Sequence, residues 1–368
     1  MFYYLSEFRD IFFAFNIFKY ITFRAGMAAV TTFLLCVILG PFFIRQLKNL
    51  SIWEKAKRDD CPDLDQFQKI KEGTPTMGGV FIVGSVFLSV FLWADLSNKY
   101  ILLTTFTCLY LAILGGVDDY IKLTQKINTG LKKTKRGLPA RTKLMWQIFL
   151  GCFIGAYVYF SPGVSTKLDI PFFKNLIIDV GIFYIPLVAL IIIGTSNAVN
   201  LTDGLDGLAI GCTIIVSLTL GILSYVSGHI KLSEYLFIPY LPGVGELSIF
   251  CAAMMGAGLG FLWFNCYPAS VFMGDVGSLG IGGTLGVIAV FIKKELLLVL
   301  LGGIFVIEAL SVILQVASFK TTGKRLFKVS PFHHPLQLSG WNESKIIIRF
   351  WIIGINLALI TLTTLKLR

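Results

Sequence analysis

Long apolar segments are the feature that most constrains how this chain can fold. A bilayer span needs about 20 mostly apolar residues. Ten segments qualify, at roughly 25–44, 77–94, 100–121, 144–160, 176–194, 205–226, 247–264, 276–292, 296–318 and 346–365. Only 14% of the residues are charged, against about 25% in a soluble domain, so the chain cannot cover a water-exposed surface. The sequence therefore predicts an all-α integral membrane protein with about ten transmembrane helices.

The first 24 residues differ from the rest of the chain because aromatic and charged residues alternate there. Glu7, Arg9 and Asp10 interrupt any apolar core, and no small-residue cleavage site follows, so a cleaved signal peptide is not predicted. An aromatic helix lying in the membrane interface fits this composition. We therefore predict an N-terminal interfacial helix over 1–24 and a single polytopic membrane domain over 25–368.

The net charge of +11 indicates how the chain is oriented. In a soluble protein such a charge favours nucleic-acid binding, but membrane proteins concentrate Lys and Arg in their cytoplasmic loops. Most of the 32 Lys and Arg residues fall on one side, which holds 45–75, 120–143 and 319–345. We assign that side to the cytoplasm, and an even number of spans then places both termini outside it. We predict contact with membrane lipid and no nucleic-acid partner.

Two adjacent carboxylates close the third apolar segment, in Gly-Gly-Val-Asp-Asp-Tyr at 115–120. A carboxylate near the bilayer is costly and is usually functional. Asp118 and Asp119 repel each other unless a proton or a cation lies between them, and Mg²⁺ is the natural cation for hard oxygen ligands. Asp118 also shares a helical face with Lys122. The alternative interpretation is a helix end with ordinary interfacial charge.

Four polar residues recur at every third position after the fifth apolar segment. They are Asn197, Asn200, Asp203 and Asp206. On a helix this spacing places them on one slowly rotating face, and two Asp-Gly pairs indicate that the helix ends there. The spacing and terminal Glu of a calcium loop are missing. A turn rich in Asn and Asp explains two of these residues well and all four poorly.

A third polar segment, 265–278, joins two apolar segments and contains Phe-Met-Gly-Asp-Val-Gly-Ser. Asp275 lies between two glycines at the start of a helix, where backbone N–H groups and a metal can face an anion together. Phe272 is a candidate stacking platform for a base. The alternative for Phe272 is an interfacial anchor.

The second apolar segment opens with Lys-Glu-Gly-Thr-Pro-Thr-Met-Gly-Gly at 71–79. Thr74 or Thr76 can cap the helix, and the paired glycines let the backbone approach a ligand closely. The segment is not a Walker loop, because the Gly-Lys-Ser/Thr ending is missing.

The last predicted cytoplasmic loop contains Ser-Pro-Phe-His-His-Pro at 330–335. His333 and His334 are two of the three histidines in the chain. Adjacent histidines point in different directions, so we expect phosphate contacts or a role in loop structure and not a zinc site.

These motifs together place carboxylates, backbone donors, lysines and histidines on one predicted membrane face. Metal-assisted phosphoryl transfer is the chemistry that matches this set. A transporter for an anionic solute would instead place polar residues at the bilayer midplane, and a structural scaffold would not need three acidic motifs.

The motifs also resemble a known family. The Asp-Asp pair, Asn-x-x-Asn-x-x-Asp-Gly-x-Asp-Gly and Phe-Met-Gly-Asp-x-Gly-Ser resemble the polyprenyl-phosphate N-acetylhexosamine-1-phosphate transferases. The Gly-Thr-Pro-Thr-Met-Gly-Gly segment and the histidine loop are similar to those of the members that transfer phospho-N-acetylmuramoyl-pentapeptide. The resemblance runs from about Lys71 to the last span.

The resemblance implies a ten-span enzyme with its active site on the cytoplasmic face of the bacterial inner membrane. It implies transfer of phospho-N-acetylmuramoyl-pentapeptide from UDP-N-acetylmuramoyl-pentapeptide to undecaprenyl phosphate, with Mg²⁺ as cofactor and with lipid I and UMP as products. It also implies a homodimer and makes 25–368 one catalytic domain. A sister enzyme that transfers N-acetylglucosamine-1-phosphate is the nearest alternative.

The resemblance also implies roles for individual residues. Asp275 is the metal ligand, Asp118 the base and Asp119 its partner. His333 and His334 are further catalytic candidates, although Pro335 stands where the family has a third histidine. The substrate-binding candidates are Lys71, Thr76, Lys122, Asn197, Asn200, Asp203, Asp206, Asn265 and Phe272.

Overall fold

The computed structural model describes residues 1–50, 71, 73–128, 137–161, 166–172 and 177–366. Within these ranges nine helices are long and apolar enough to cross a membrane, and a tenth apolar helix is shorter. The predicted all-α integral membrane protein with about ten spans is thereby confirmed. Parts of two basic segments assigned to the cytoplasm, 51–70 and 129–136, lie outside the described residues.

The main elements follow one another with short connections. The helices are α1 Ile21–Asn49, α2 Gly79–Trp93, α3 Lys99–Asn128, α4 Ala140–Phe160, α5 Tyr184–Thr202, α6 Leu208–Ser227, α7 Ile230–Leu236, α8 Leu247–Asn265, α9 Gly274–Phe291, α10 Glu295–Leu301, α11 Gly303–Thr322, α12 His333–Leu338 and α13 Glu343–Thr363. Short 3₁₀ helices lie at Phe2–Phe8, Phe13–Lys19, Gly181–Phe183 and Val244–Glu246.

The N-terminal segment contains two 3₁₀ helices in place of one continuous helix, and α1 already begins at Ile21. Phe2 packs against Phe18 with ring centroids 5.9 Å apart, so the two short helices fold back on each other. The interfacial position of this segment stays a prediction.

Two predicted spans differ from the structure. The segment 176–194 begins with a strand, because β1 (Lys167–Asp169) and β2 (Ile177–Asp179) pair antiparallel. Short apolar runs do not distinguish a strand from a helix. The segment 296–318 is divided between α10 and α11, which are separated at Gly302. Glycine in a helix interior is unfavourable because it loses the most backbone entropy.

Helix α9 forms the centre of the bundle. It packs against α2, α3, α5 and α6, and every residue from Val276 to Phe291 is buried. Small residues allow membrane helices to approach closely. A Cβ on Gly115 of α3 would lie 2.1 Å from the backbone oxygen of Asp275, so only glycine permits this crossing. The close approach brings the end of α3 against the beginning of α9.

The connections divide between two ends of the bundle. At one end, called here the site end, α3 and α5 finish near the beginnings of α4 and α9, and side chains from all four helices are hydrogen-bonded to one another. At the far end, α1 begins beside the Val244–Glu246 turn, to which it is joined by Arg24 and Glu246. All five sequence motifs lie at the site end.

Candidate active site

Three carboxylates converge at the site end. One oxygen from each of Asp118, Asp119 and Asp275 lies within 4.8 Å of the others. Asp118 and Asp119 are buried near the end of α3, and Asp275 lies in the first turn of α9. Three carboxylates this close require positive charge between them, and carboxylate oxygens are the ligands that Mg²⁺ takes in proteins.

Two lysines supply positive charge to the cluster. Lys122 Nζ lies 2.7 Å from Asp118 Oδ2 and 3.0 Å from Asp275 Oδ2. Lys143, from the first turns of α4, reaches the same two oxygens at 2.9 Å and 2.8 Å. Three carboxylates against two ammonium groups leave the cluster with one net negative charge, which is a suitable environment for a further cation.

Neutral donors hold the carboxylates in place. Asn200 Nδ2 donates to Asp275 Oδ1 at 2.8 Å and to Ser278 Oγ at 2.8 Å. The backbone N–H groups of Asp275 and Val276 donate to Asp119 Oδ2 at 2.9 Å and 3.3 Å. Asp119 thus accepts from N–H groups that the first turn of a helix leaves free. Helix α9 is thereby fixed against α3 at the cluster.

A second charged group lies at the same end. Lys71 Nζ is 2.7 Å from Asp206 Oδ1 and 2.7 Å from Glu343 Oε1, at the start of α13. Burial alone would lower the pKa of Lys71, but the two carboxylates outweigh burial and raise that pKa above its usual value. Lys71 Nζ also lies 6.0 Å from the centroid of the Phe272 ring.

The loop that carries Phe272 is held by backbone and side-chain hydrogen bonds. The Phe272 N–H donates to Pro75 O at 2.8 Å, and the Gly78 N–H donates to Phe272 O at 2.8 Å. Asn265 accepts from the Gly207 N–H at 3.0 Å and donates to Val271 O at 2.8 Å. The described contacts of Asn265 therefore shape the loop, while half-buried Phe272 keeps part of its ring accessible.

The two histidines lie beside the Asp-Gly segment and not on the carboxylate cluster. His333 Nδ1 approaches Glu308 Oε2 of α11 to 3.1 Å without hydrogen-bond alignment, and its Nε2 faces Gly204. His334 Nδ1 lies 2.9 Å from Gln337 Oε1. The two imidazole rings meet edge to face with centroids 4.2 Å apart, so they point in different directions, as predicted.

The remaining predicted site residues also lie at the site end. Asn197 Nδ2 donates to Gln147 Oε1 at 3.0 Å and not to the cluster. Asp203 is half-buried and directly follows α5. Thr76 Oγ1 would lie 3.2 Å from a Cβ placed on Gly274, next to Asp275. The structure thus places these side chains together, and their chemical roles stay predictions.

Several residues of the site were not singled out from the sequence. Lys143 and Gln147 are four residues apart, and this spacing could have placed two polar side chains on one face of α4. Glu308 is a lone carboxylate inside an apolar segment, which is itself a signal of function. Ser278 and Glu343 carry no signal of this kind.

Comparisons with known proteins agree with this geometry. A family model described as glycosyl transferase family 4 matches residues 100–293, and phospho-N-acetylmuramoyl-pentapeptide-transferase signature 1 matches residues 71–83. The phospho-N-acetylmuramoyl-pentapeptide-transferase of Pelobacter propionicus is 52% identical over 354 residues, which is 96% of each chain.

Two further relatives carry the same name. The Thermodesulfovibrio yellowstonii protein is 51% identical over 356 residues, again 96% of each chain. The Desulforapulum autotrophicum protein is 50% identical over 369 residues, which is 100% of each chain. The family resemblance predicted from the motifs is confirmed, and this chain belongs to the phospho-N-acetylmuramoyl-pentapeptide-transferase family.

Proposed function

We propose that this protein transfers phospho-N-acetylmuramoyl-pentapeptide from UDP-N-acetylmuramoyl-pentapeptide to undecaprenyl phosphate, which yields lipid I and UMP. The observation that carries the proposal is the convergence of Asp118, Asp119 and Asp275 at one end of a membrane bundle. Relatives about half identical to this chain are named for the same transfer.

Mg²⁺ is the proposed cofactor, and the residues present fit it. Asp275 is the proposed ligand, with Asp118 and Asp119 close enough to share the ion. All three offer hard oxygen atoms, and the cluster has a net negative charge even with both lysines present. A bound divalent cation supplies charge stabilisation to phosphate oxygens.

The contacts of Asp118 favour an orienting role over proton removal. Its Oδ1 accepts the Leu138 N–H at 2.6 Å, and its Oδ2 is shared by Lys122 and Lys143. Both oxygens are therefore engaged, and a base would first have to lose a partner. A phosphate monoester has a second pKa of about 6, so the lipid phosphate is already largely deprotonated at neutral pH.

The same engagement favours direct transfer over a covalent intermediate on Asp118. In the direct reaction, an oxygen of the lipid phosphate attacks the sugar-side phosphorus, a new P–O bond forms, and the bond to UMP breaks. Lys122 and Lys143 balance the negative charge of the reacting phosphates in this step.

The second group of residues is proposed to bind the nucleotide. Phe272 offers a ring on which uracil stacks, with Lys71 beside it. The histidine loop, with His333 and His334, is proposed to contact the larger muramoyl-pentapeptide part of the substrate. Its exposed neighbours Lys324 and Arg325 would steer that anionic substrate, and salt would screen the effect over about 8 Å.

The location follows from the charge distribution. We propose that the site end faces the cytoplasm of a bacterial cell, that both termini lie outside it, and that the protein works as a homodimer. Reporter fusions at the two termini test the orientation, because a cytoplasmic C-terminus would require an odd number of spans.

The proposed activity is tested with purified protein in detergent, both substrates and Mg²⁺. We expect UMP release together with a lipid-linked product, and little transfer from UDP-N-acetylglucosamine. Efficient transfer from UDP-N-acetylglucosamine would instead assign the sister activity. Replacing His333 and His334 together by alanine should lower the preference for the muramoyl nucleotide, and an unchanged preference would remove the histidine loop from substrate selection.

A further inference from the structure

Glu343, in the first turn of α13, lies where three sequence motifs meet. Its Oε1 is 2.7 Å from Lys71 Nζ and accepts the backbone N–H of Asp206 at 2.8 Å. Asp206 in turn pairs with Lys71 at 2.7 Å and accepts the Ala269 N–H at 3.0 Å. The Glu343 side chain is 8% exposed. One carboxylate of the last span therefore links the segment at 71–79, the Asp-Gly segment and the loop that carries Phe272.

We propose that Glu343 is a positioning residue that fixes the Lys71 ammonium group as a hydrogen-bond donor to the nucleoside part of the sugar nucleotide. The inference rests on the proposed function, because it takes the Phe272 ring as the stacking platform for the base. Lys71 Nζ lies 6.0 Å from the centroid of that ring. A base stacked on the ring brings its own polar edge and its ribose close to this ammonium group.

The hydrogen-bond inventory of Lys71 leaves room for one ligand atom. A lysine ammonium has three donors. Among the described residues its carboxylate partners are Asp206 and Glu343, so one N–H remains for a ligand. The Lys71 pKa is raised by these carboxylates, so the group stays charged and keeps all three donors at neutral pH.

The charge of this group favours the nucleoside over the pyrophosphate. Two carboxylates against one ammonium leave a net negative charge, which does not attract another anion. A carbonyl or hydroxyl oxygen is neutral and accepts a hydrogen bond without that repulsion. The pyrophosphate is better matched to Lys122 and Lys143, which lie at the other group.

Glu343 is needed because Lys71 alone has no fixed position. A lysine side chain loses about 2 kcal/mol of rotamer entropy when it is held in one conformation. Glu343 supplies a second anchor and also orders the Asp206 backbone, so Asp206 and Lys71 are held together. Removal of Glu343 should therefore weaken nucleoside binding without changing the chemical step.

The experiment compares Glu343→Ala and Glu343→Gln with the wild type. In the alanine variant, we expect the affinities for uridine and for UMP to fall by the same factor of about tenfold, as for one lost hydrogen bond to a charged group. The KM for UDP-N-acetylmuramoyl-pentapeptide should rise by that factor while kcat stays within about twofold. Glutamine keeps an acceptor oxygen and should restore part of the loss. Lys345→Ala, in the same turn and against the Trp341 ring at 5.3 Å, is the control and should behave as wild type.

Three results would overturn the proposal. The first is an unchanged affinity of both Glu343 variants for uridine. The second is tighter UMP binding with steeper salt dependence, because Lys71 would then contact phosphate. The third is a loss of kcat at constant KM. Thermal unfolding checks that the alanine variant is folded, and the glutamine variant decides if it is not. A wild type that binds neither uridine nor UMP would instead overturn the proposed function, and this inference with it.

Discussion

The two ends of the bundle both bury charged side chains, but they balance these charges differently. At the far end, Arg24 is 1% exposed and pairs with Glu246 through two contacts at 2.8 Å and 2.5 Å. The Trp93 carbonyl accepts a further N–H of Arg24, and the Asp95 N–H donates to Glu246. One positive and one negative charge cancel there. The carboxylate cluster at the site end keeps an excess of negative charge instead.

The ionisable groups outside the spans show the same contrast. At the far end, burial lowers the pKa of Lys293 and raises the pKa of Glu295, so burial shifts both groups toward their neutral forms. Tyr184 donates to Glu295 and accepts from Lys293, which satisfies both. At the site end, carboxylate neighbours raise the pKa of Lys71 despite its burial. The far end thus minimises buried charge, while the site end maintains it.

The largest expected effect separates the two ends by activity. Asp275→Ala should lower turnover by about 10³-fold, because the variant loses the carboxylate shared by both lysines and proposed to bind Mg²⁺. The protein should remain folded, since a half-buried carboxylate between glycines has little packing role. Lipid I formation and Mn²⁺ binding are the two measurements.

Asp169→Ala at the far end is the matched control for this variant. Asp169 pairs with Lys294 at 3.4 Å, away from the carboxylate cluster, and its removal should leave turnover unchanged. Near-normal activity of Asp275→Ala at saturating Mg²⁺ would remove Asp275 from the metal site.

The second prediction is a stability effect confined to the far end. Arg24→Met leaves Glu246 buried without its partner, and we expect the free energy of unfolding to fall by about 3 kcal/mol. The double variant Arg24→Met and Glu246→Gln should recover much of this loss, because no unpaired charge remains. Unfolding in detergent measures both variants. A loss of kcat in the folded fraction would contradict a purely structural role for this end.

The third prediction distinguishes two roles of Asp118. Asp118→Asn should lower kcat by about 10²-fold with a smaller change in KM, as for a group that acts in the transition state. Both Asp118 oxygens are engaged, so we expect the loss to be the same at every pH tested. A loss that shrinks steadily as pH rises would instead support proton removal by Asp118.

The sequence predicted the membrane class, the number of spans and the clustering of motifs at one end, because hydrophobic length and charge bias act locally. It did not predict the β1–β2 hairpin or the break at Gly302, since apolar composition is compatible with strand, bent helix and straight helix. Asp118 and Asp119 were recognisable as adjacent charges near the bilayer. Glu343 was not, because its partners lie far away in sequence and only the folded chain brings them together.

The smallest expected effect concerns Lys143, which the sequence analysis did not single out. Lys143 Nζ lies 2.8 Å from Asp275 Oδ2, an oxygen proposed to bind Mg²⁺, so the ammonium group and the metal compete for it. Two charges about 4 Å apart interact by about 4 kcal/mol at an effective dielectric constant of 20, and solvent and the remaining Lys122 reduce this, so Lys143→Met should tighten Mn²⁺ binding by about tenfold.

Turnover should nevertheless fall, because Lys143 also balances phosphate charge. Arg141→Met removes an exposed positive charge two residues away on the same helix and should change neither quantity. Titration of Mn²⁺ by electron paramagnetic resonance measures the affinity without turnover. Weaker Mn²⁺ binding in Lys143→Met would mean that Lys143 organises the carboxylates more than it competes with the metal. The excess negative charge that distinguishes the site end would then depend on Lys143 to be usable by a cation.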